Sequence, residues 1–256
     1  MTLQLDSIDN FRDVAGDPPY TAGATRLRPG VVWRSSALTL DDADQAALEA
    51  LEPALVIDLR SAAEIAQAPD VDVRGAVTAR VDIIGEAEDS RLLDASRAGG
   101  LGAVGLAEEH DVGLLMYRTF VTDPGAARAF GRAARMIADA PGPVVMHCTA
   151  GKDRTGWLAA VVQTVAGVSD EDVMRDYLLS NERLARVIAR LREQIEAAVG
   201  PEKAAAFAGL LGVAPRFLDA ARAAVAEQYG DMRGYLRDGG GLSDADIDRL
   251  VARITV

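Results

Sequence analysis

His147-Cys148-Thr149-Ala150-Gly151-Lys152-Asp153-Arg154-Thr155-Gly156 carries the only cysteine of the chain, six residues ahead of an arginine. Upstream, Pro143-Val144-Val145-Met146 is a short apolar run of the kind a buried strand gives. Downstream, Trp157-Leu158-Ala159-Ala160-Val161-Val162 continues as a buried helix. Residues 148 to 154 are therefore the turn between a strand and a helix. Successive backbone N–H groups in such a turn form an anion-sized cradle, and the helix behind it adds the positive end of its dipole. Thr149, Ala150, Gly151, Lys152, Asp153 and Arg154 are the expected phosphate-binding residues.

Cys148 sits in that positive field, which favours the thiolate, the nucleophilic form of the side chain. Arg154 closes the turn with a planar fork that can hold two phosphate oxygens, a geometry lysine cannot reproduce. The expected chemistry is in-line attack of the Cys148 sulfur on phosphorus, with Arg154 and the loop amides stabilising the equatorial oxygens. Water then hydrolyses the phosphocysteine. No metal or cofactor is required, because the guanidinium and the amides neutralise the charge that magnesium neutralises in kinases.

Further motifs lie along the chain: Asn10-Phe11-Arg12-Asp13-Val14-Ala15-Gly16, Trp33-Arg34-Ser35-Ser36, Asp58-Leu59-Arg60-Ser61 with Glu64, and Asp176-Tyr177-Leu178-Leu179-Ser180-Asn181. With the His-Cys-x5-Arg-Thr-Gly loop, the chain resembles the protein tyrosine phosphatase superfamily. Within it, the chain is similar to the bacterial atypical tyrosine phosphatases whose loop reads HCxAGKDRTG, a group that includes secreted mycobacterial and listerial enzymes. The resemblance implies activity on phosphotyrosine and, for this group, on phosphoserine, phosphothreonine or phosphoinositides. Two rivals are weighed against it: a catalytically dead phosphate-binding module, and a rhodanese-like sulfur transferase.

A proton must reach the leaving group and later leave the attacking water. The Trp-Pro-Asp loop of larger tyrosine phosphatases is missing, since Trp33 precedes Arg34 and Trp157 precedes Leu158. Asp153, inside the loop and matched by an aspartate in the resembling enzymes, is the first candidate acid. Asp58 is the second, at the C-terminal end of the Leu55-Val56-Ile57 strand, where open α/β sheets place ligands. Its alternative is a turn residue or an ion-pair partner. Asp82 is the third.

Lys152 is read two ways, as a contact for a second substrate phosphate or as a solvated charge beside the loop. His147 and Thr155 are supporting residues, His147 as a hydrogen-bonding prop for the loop rather than a general base. Arg12, Arg34 and Arg60 are expected chiefly to buttress the site through carboxylate pairs. His110, among acidic neighbours, is expected to be exposed.

The 256 residues suffice for one phosphatase domain, with a catalytic core over about 10–181 and a helical flank or lid over about 182–256. A lone cysteine excludes an internal disulfide. The formal net charge of −12 argues against nucleic acid and against broad adsorption to anionic membranes. No apolar run approaches the ~18 residues of a membrane span, and no classical signal peptide is expected, since Met1-Thr-Leu-Gln-Leu-Asp6 has no basic stretch followed by an apolar core. The expectation is a cytoplasmic protein, with non-classical export open to proteins of this type. Oligomeric state is left undefined.

The order of elements predicts an α/β fold: a central, mostly parallel sheet flanked by helices and followed by a helical C-terminal part. Strands are expected at 31–33, 55–59 and 77–83. Helices are expected over 40–51 opened by Thr39, 61–66 opened by a Ser61/Glu64 capping box, and 123–138 opened by Asp123-Pro124. Ser169 to Asp172 opens another, and further helices follow over 182–199, 201–211, 215–229 and 243–254. Residues 85–111 have no steady period and are expected to form a loop over the active site.

Overall fold

The computed structural model describes residues 3–87, 112–201 and 210–256. Strands β1 (Arg12–Asp13), β4 (Val32–Ser35), β5 (Leu55–Asp58), β6 (Val77–Arg80) and β7 (Val144–His147) form one sheet in the order β1-β4-β7-β5-β6. The four inner and right-hand strands run parallel, and the two-residue β1 pairs antiparallel at the edge. Strands β2 (Thr21–Ala22) and β3 (Thr25–Arg26) make a separate small hairpin.

Both faces of the central sheet are covered, and the alternation of side chains divides them. Val32, Ile57, Val144 and Met146 face one core with Phe120, Phe130, Trp157 and Leu158. Trp33, Val56 and Val145 face the other, with Phe11, Leu38, Leu40 and Leu48. Phe11 of the N-terminal segment stacks on Trp33 at 5.2 Å, so this segment folds back against the catalytic core as its position before the first long strand suggests.

The helices are α1 (Asp42–Glu49), α2 (Ala62–Gln67), α3 (Val112–Thr122), α4 (Pro124–Asp139), α5 (Arg154–Val165) and α6 (Asp170–Arg183). They continue with α7 (Ala185–Val199), α8 (Pro215–Tyr229), α9 (Met232–Gly234) with a π turn over Tyr235–Gly239, and α10 (Asp244–Ile254). Helix α5 is buried almost all round, as its unbroken apolar sequence requires. The expected caps of Ser61, Asp123 and Ser169 are present. Helix α1 departs from expectation. Its cap is Asp41, whose carboxylate accepts from the Asp44 amide, and not Thr39.

Two helical segments also differ from the reading. Helix α3 is not among the expected elements, because its run Val-Gly-Leu-Leu-Met-Tyr is apolar on consecutive positions and masks the buried face of Gly113, Tyr117, Phe120 and Val121. The C-terminal helices are not all one flank. Helix α8 packs along α3 and α10 along α4, with Phe217, Leu218, Ile247 and Leu250 in the main core, whereas α7 buries no residue. Of the expected loop over 85–111, residues 88–111, His110 among them, lie outside the described residues. So do 202–209 of the helix expected over 201–211. No helix among the described residues is long and apolar enough to cross a membrane.

Candidate active site

The parallel register puts the C-terminal ends of three strands level: Ser35 pairs with His147, and His147 with Asp58. The chain leaving each strand therefore meets at one edge of the sheet, the place where open α/β sheets bind ligands. The middle strand supplies the Cys148–Asp153 loop. Its neighbours supply Ser36–Ala37 on one side and Leu59–Glu64 on the other.

The loop carbonyls are held from outside. Thr149 O accepts from the Ala37 amide at 3.1 Å, and Ala150 O and Gly151 O accept from Asn10 Nδ2 at 3.3 and 2.9 Å. Gly151 O also accepts from Arg34 Nη2 at 2.8 Å. A trans peptide sets N–H opposite to C=O, so the amides of Ala150, Gly151 and Lys152 turn to the concave side. Gly151 is required here. Its φ is +66°, and a Cβ would lie 2.2 Å from Ser35 O. Asn10 reaches the loop from a left-handed φ of 61°, a conformation asparagine tolerates.

Behind the loop lies a buried charge network. Asp176 takes Arg12 Nε on one oxygen at 3.1 Å and Arg34 Nη1 on the other at 2.9 Å. Burial would raise the Asp176 carboxyl, but the two guanidinium groups outweigh it and hold it below the ordinary range. Burial and the neighbouring Arg12 push Arg34 down to about 10, so it remains charged at neutral pH. Two arginines against one carboxylate leave excess positive charge, and Arg34 passes it directly to the loop through Gly151 O.

Arg154, the first residue of α5, is buried and faces Glu64. Nη1 donates to Oε2 at 2.8 Å and Nη2 to Oε1 at 2.6 Å, while Nη1 also reaches Leu59 O at 3.3 Å. Glu64 additionally accepts from the Thr149 hydroxyl and from the Ser61 amide. Burial would raise its carboxyl, but the hydrogen bonds and charge of Arg154 outweigh that and hold it at about 2. One carboxylate thus closes the α2 capping box and fixes the loop arginine. The sequence reading gave Glu64 only the first task.

Cys148 is buried at the start of the loop. His147 is fully buried. Its Nδ1 lies 3.3 Å from Cys148 O and its Nε2 3.3 Å from Asp70 Oδ2. Burial lowers its pKa, favouring the neutral ring. Thr155 is fully buried, and its hydroxyl has no partner among the described residues.

Of the three candidate acids, only Asp153 stands in the loop. It occupies the cap position of α5 without capping it, and its Oδ1 accepts from Tyr117 Oη at 3.3 Å while Oδ2 lies 3.3 Å from Lys152 Nζ. Asp58 has both oxygens on Arg60, at 2.9 Å each, and accepts the Arg60 amide besides, which makes it the ion-pair partner of its alternative reading. Asp82 pairs with Arg80 and accepts the Gly85 amide. Lys152 is not a solvated charge. Its Nζ donates to Leu210 O at 2.6 Å and Gly212 O at 3.1 Å, tying the loop to the segment ahead of α8.

Asp58, Asp70 and His147 form a cluster with the donor set of a metal site. The guanidinium of Arg60 already occupies it, bridging Asp58 and Asp70, and Asp70 Oδ1 accepts the Leu38 amide. The charge a cation would supply is present.

The tyrosine phosphatase family matches residues 3–256 of this chain. The triple specificity protein phosphatase PtpB of Mycobacterium tuberculosis is 37% identical over 96% of this chain and 96% of its own. A tyrosine-protein phosphatase of Nostoc commune is 33% identical over 84% of this chain and 70% of its own. The chain belongs to the tyrosine phosphatase family. It is accordingly a hydrolase acting on phosphorylated substrates, and the sulfur-transferase alternative falls.

Proposed function

We propose that this chain hydrolyses phosphomonoesters through a phosphocysteine formed on Cys148, with phosphotyrosine as a substrate and phosphoserine, phosphothreonine and phosphoinositides within its range. The observation that carries this reading is the outward anchoring of three consecutive loop carbonyls, which leaves the facing amides for an anion. The name of the mycobacterial relative, a triple specificity phosphatase, supports the breadth of substrates.

In this reading the dianion enters the amide cradle and Arg154 binds two of its oxygens. The Cys148 sulfur forms a bond to phosphorus as the bond to the leaving oxygen breaks, and Asp153 gives that oxygen a proton. Asp153 then takes a proton from the water that attacks the phosphocysteine, returning the thiolate and releasing phosphate. Thr149 to Arg154 bind the phosphate, while His147, Thr155 and Asp58 with Arg60 support the strand ends. For Lys152 to meet a second substrate phosphate, its Nζ has to leave Leu210 O and Gly212 O. We treat residues 1–256 as one phosphatase domain, on the support of the core shared by sheet and C-terminal helices, and place it in the cytoplasm with non-classical export open.

The test is hydrolysis of p-nitrophenyl phosphate, a phosphotyrosine peptide, a phosphoserine peptide and a phosphoinositide side by side. Cys148→Ser is expected to lose on the order of 10³-fold or more in kcat on every active substrate. Retained turnover in Cys148→Ser removes the nucleophile assignment. Phosphate binding without turnover in the wild-type chain selects the inactive-module reading.

A further inference from the structure

The carboxylate of Asp153 is held by a hydrogen-bonded pair of buried phenols from two helices outside the loop. Tyr117 on α3 donates to Asp153 Oδ1 at 3.3 Å, and Tyr177 on α6 donates to Tyr117 Oη at 2.8 Å. The direction of this chain follows from proton count. An ionised carboxylate only accepts and a phenol has one proton, so Tyr117 must spend its proton on Asp153 and accept that of Tyr177.

Both rings are fixed. Tyr117 is fully buried, stacks on Phe217 with centroids 5.8 Å apart, and meets the edge of Tyr177 at 5.9 Å. The second ring lies against the first turn of α5, where a Cβ on Gly156 would stand at ordinary contact distance from it, 3.4 Å. Asp153 makes no side-chain cap bond to α5, so besides the phenol on Oδ1 its carboxylate meets only Lys152 Nζ, 3.3 Å from Oδ2, among the contacts described.

From this geometry we infer that Tyr117, backed by Tyr177, is the positioning residue for the general acid. Its hydrogen bond occupies Oδ1, so the transferable proton is carried on Oδ2, the oxygen that faces Lys152 Nζ at 3.3 Å and opens to the leaving group when that ammonium stays on Leu210 O and Gly212 O. During the first step that proton passes from Oδ2 to the leaving oxygen as the P–O bond breaks. In the second step Oδ2 takes it back from water, and Oδ1 keeps its phenol throughout. Burial first, then the charge of Asp153, raises the Tyr117 pKa well above its ordinary value, so the phenol stays a donor. The inference rests on the reading of Asp153 as the acid.

The experiment measures kcat and KM of the full chain on p-nitrophenyl, phenyl and alkyl phosphates for wild type, Asp153→Asn, Tyr117→Phe, Tyr177→Phe and Asp153→Asn/Tyr117→Phe. Loss of the Tyr117 hydrogen bond is expected to lower kcat by about tenfold on phenyl and alkyl phosphates. On p-nitrophenyl phosphate, whose leaving group needs little acid help, the loss is expected to stay within about twofold, with KM changing no more than that. Tyr177→Phe, which keeps the donor to Asp153, is expected to show the same pattern more weakly. In the Asp153→Asn background, Tyr117→Phe is expected to add nothing.

An equal loss on all leaving groups, or additive losses in the double variant, overturns the role of Tyr117 while leaving Asp153 in place. If Asp153→Asn itself leaves the dependence on leaving group unchanged, the acid assignment fails and the inference with it. If Tyr117→Phe does not fold, Tyr177→Phe decides by the same criterion.

Discussion

Glu64 turns a signature arginine into a fixed one. Its two oxygens hold both terminal nitrogens of Arg154, so the planar fork is oriented before any phosphate arrives, and pre-orientation of charge is where electrostatic catalysis gains most. Replacing Glu64 with Gln is expected to lower kcat/KM by roughly 10- to 100-fold on every substrate regardless of leaving group, in contrast to Asp153→Asn, whose loss of ~10²- to 10⁴-fold falls on poor leaving groups. Glu64 also predicts a pH dependence of stability. Its folded pKa of about 2 lies below the reference 4.5, so its contribution is complete above about 4.5 and disappears as pH falls toward 2. Acid titration of unfolding should show this loss in wild type and lack it in Glu64→Gln. At this scale the sequence was legible wherever chemistry and spacing coincide, as for Cys148 and Arg154. It was silent on partners that only the fold brings together. Glu64 could be read as a cap because Ser61 is three residues away, but Arg154 is far off in the chain. Tyr117 carried no signal at all inside an apolar helix.

The loop works as an element because its carbonyl side is bolted to two separate pieces of chain: Asn10 on one, Arg34 and Ala37 on the other. Gly151 sits at the closest approach, where the left-handed φ and the contact with Ser35 O leave no room for a side chain. Gly151→Ala is expected to cost about 1–3 kcal/mol in strain. The measurement is a lowered thermal midpoint, with a larger fractional loss of the stabilisation given by inorganic phosphate. Strand β7 and helix α5 were legible from their apolar runs, and the capped helices from their first turns. Strands β1, β2 and β3 were not, since two residues of pairing leave no alternation to read. Thr39 lost the α1 cap to Asp41 because two candidate caps stood close together and an ionised carboxylate is the stronger acceptor for the Asp44 amide.

At the scale of the molecule, one buried arrangement joins the N-terminal segment, the sheet, the loop and α6: Arg12 and Arg34 sharing Asp176, with Asn10 and Gly151 O at its ends. Breaking it strands buried charge. Asp176→Asn is expected to cost about 3–5 kcal/mol in denaturant unfolding. It should also weaken phosphate binding, because the anchor of Gly151 O is disturbed. The α/β architecture was legible because strand-like and helix-like segments alternate through the first two thirds of the chain. The packing of α8 and α10 onto α3 and α4 was not, since periodicity marks an apolar face without naming its partner. What the whole fold delivers is a buried cysteine at the start of a loop whose carbonyls are held from outside, with a fixed guanidinium at its end. The most direct test is rapid acid quenching of the wild-type enzyme during turnover of p-nitrophenyl phosphate, followed by peptide mass spectrometry. The account predicts a phosphoryl adduct on the peptide carrying Cys148, formed and consumed at rates compatible with kcat and lost in Cys148→Ser. Turnover with no adduct on that cysteine, or with the phosphoryl group on another residue, would contradict it.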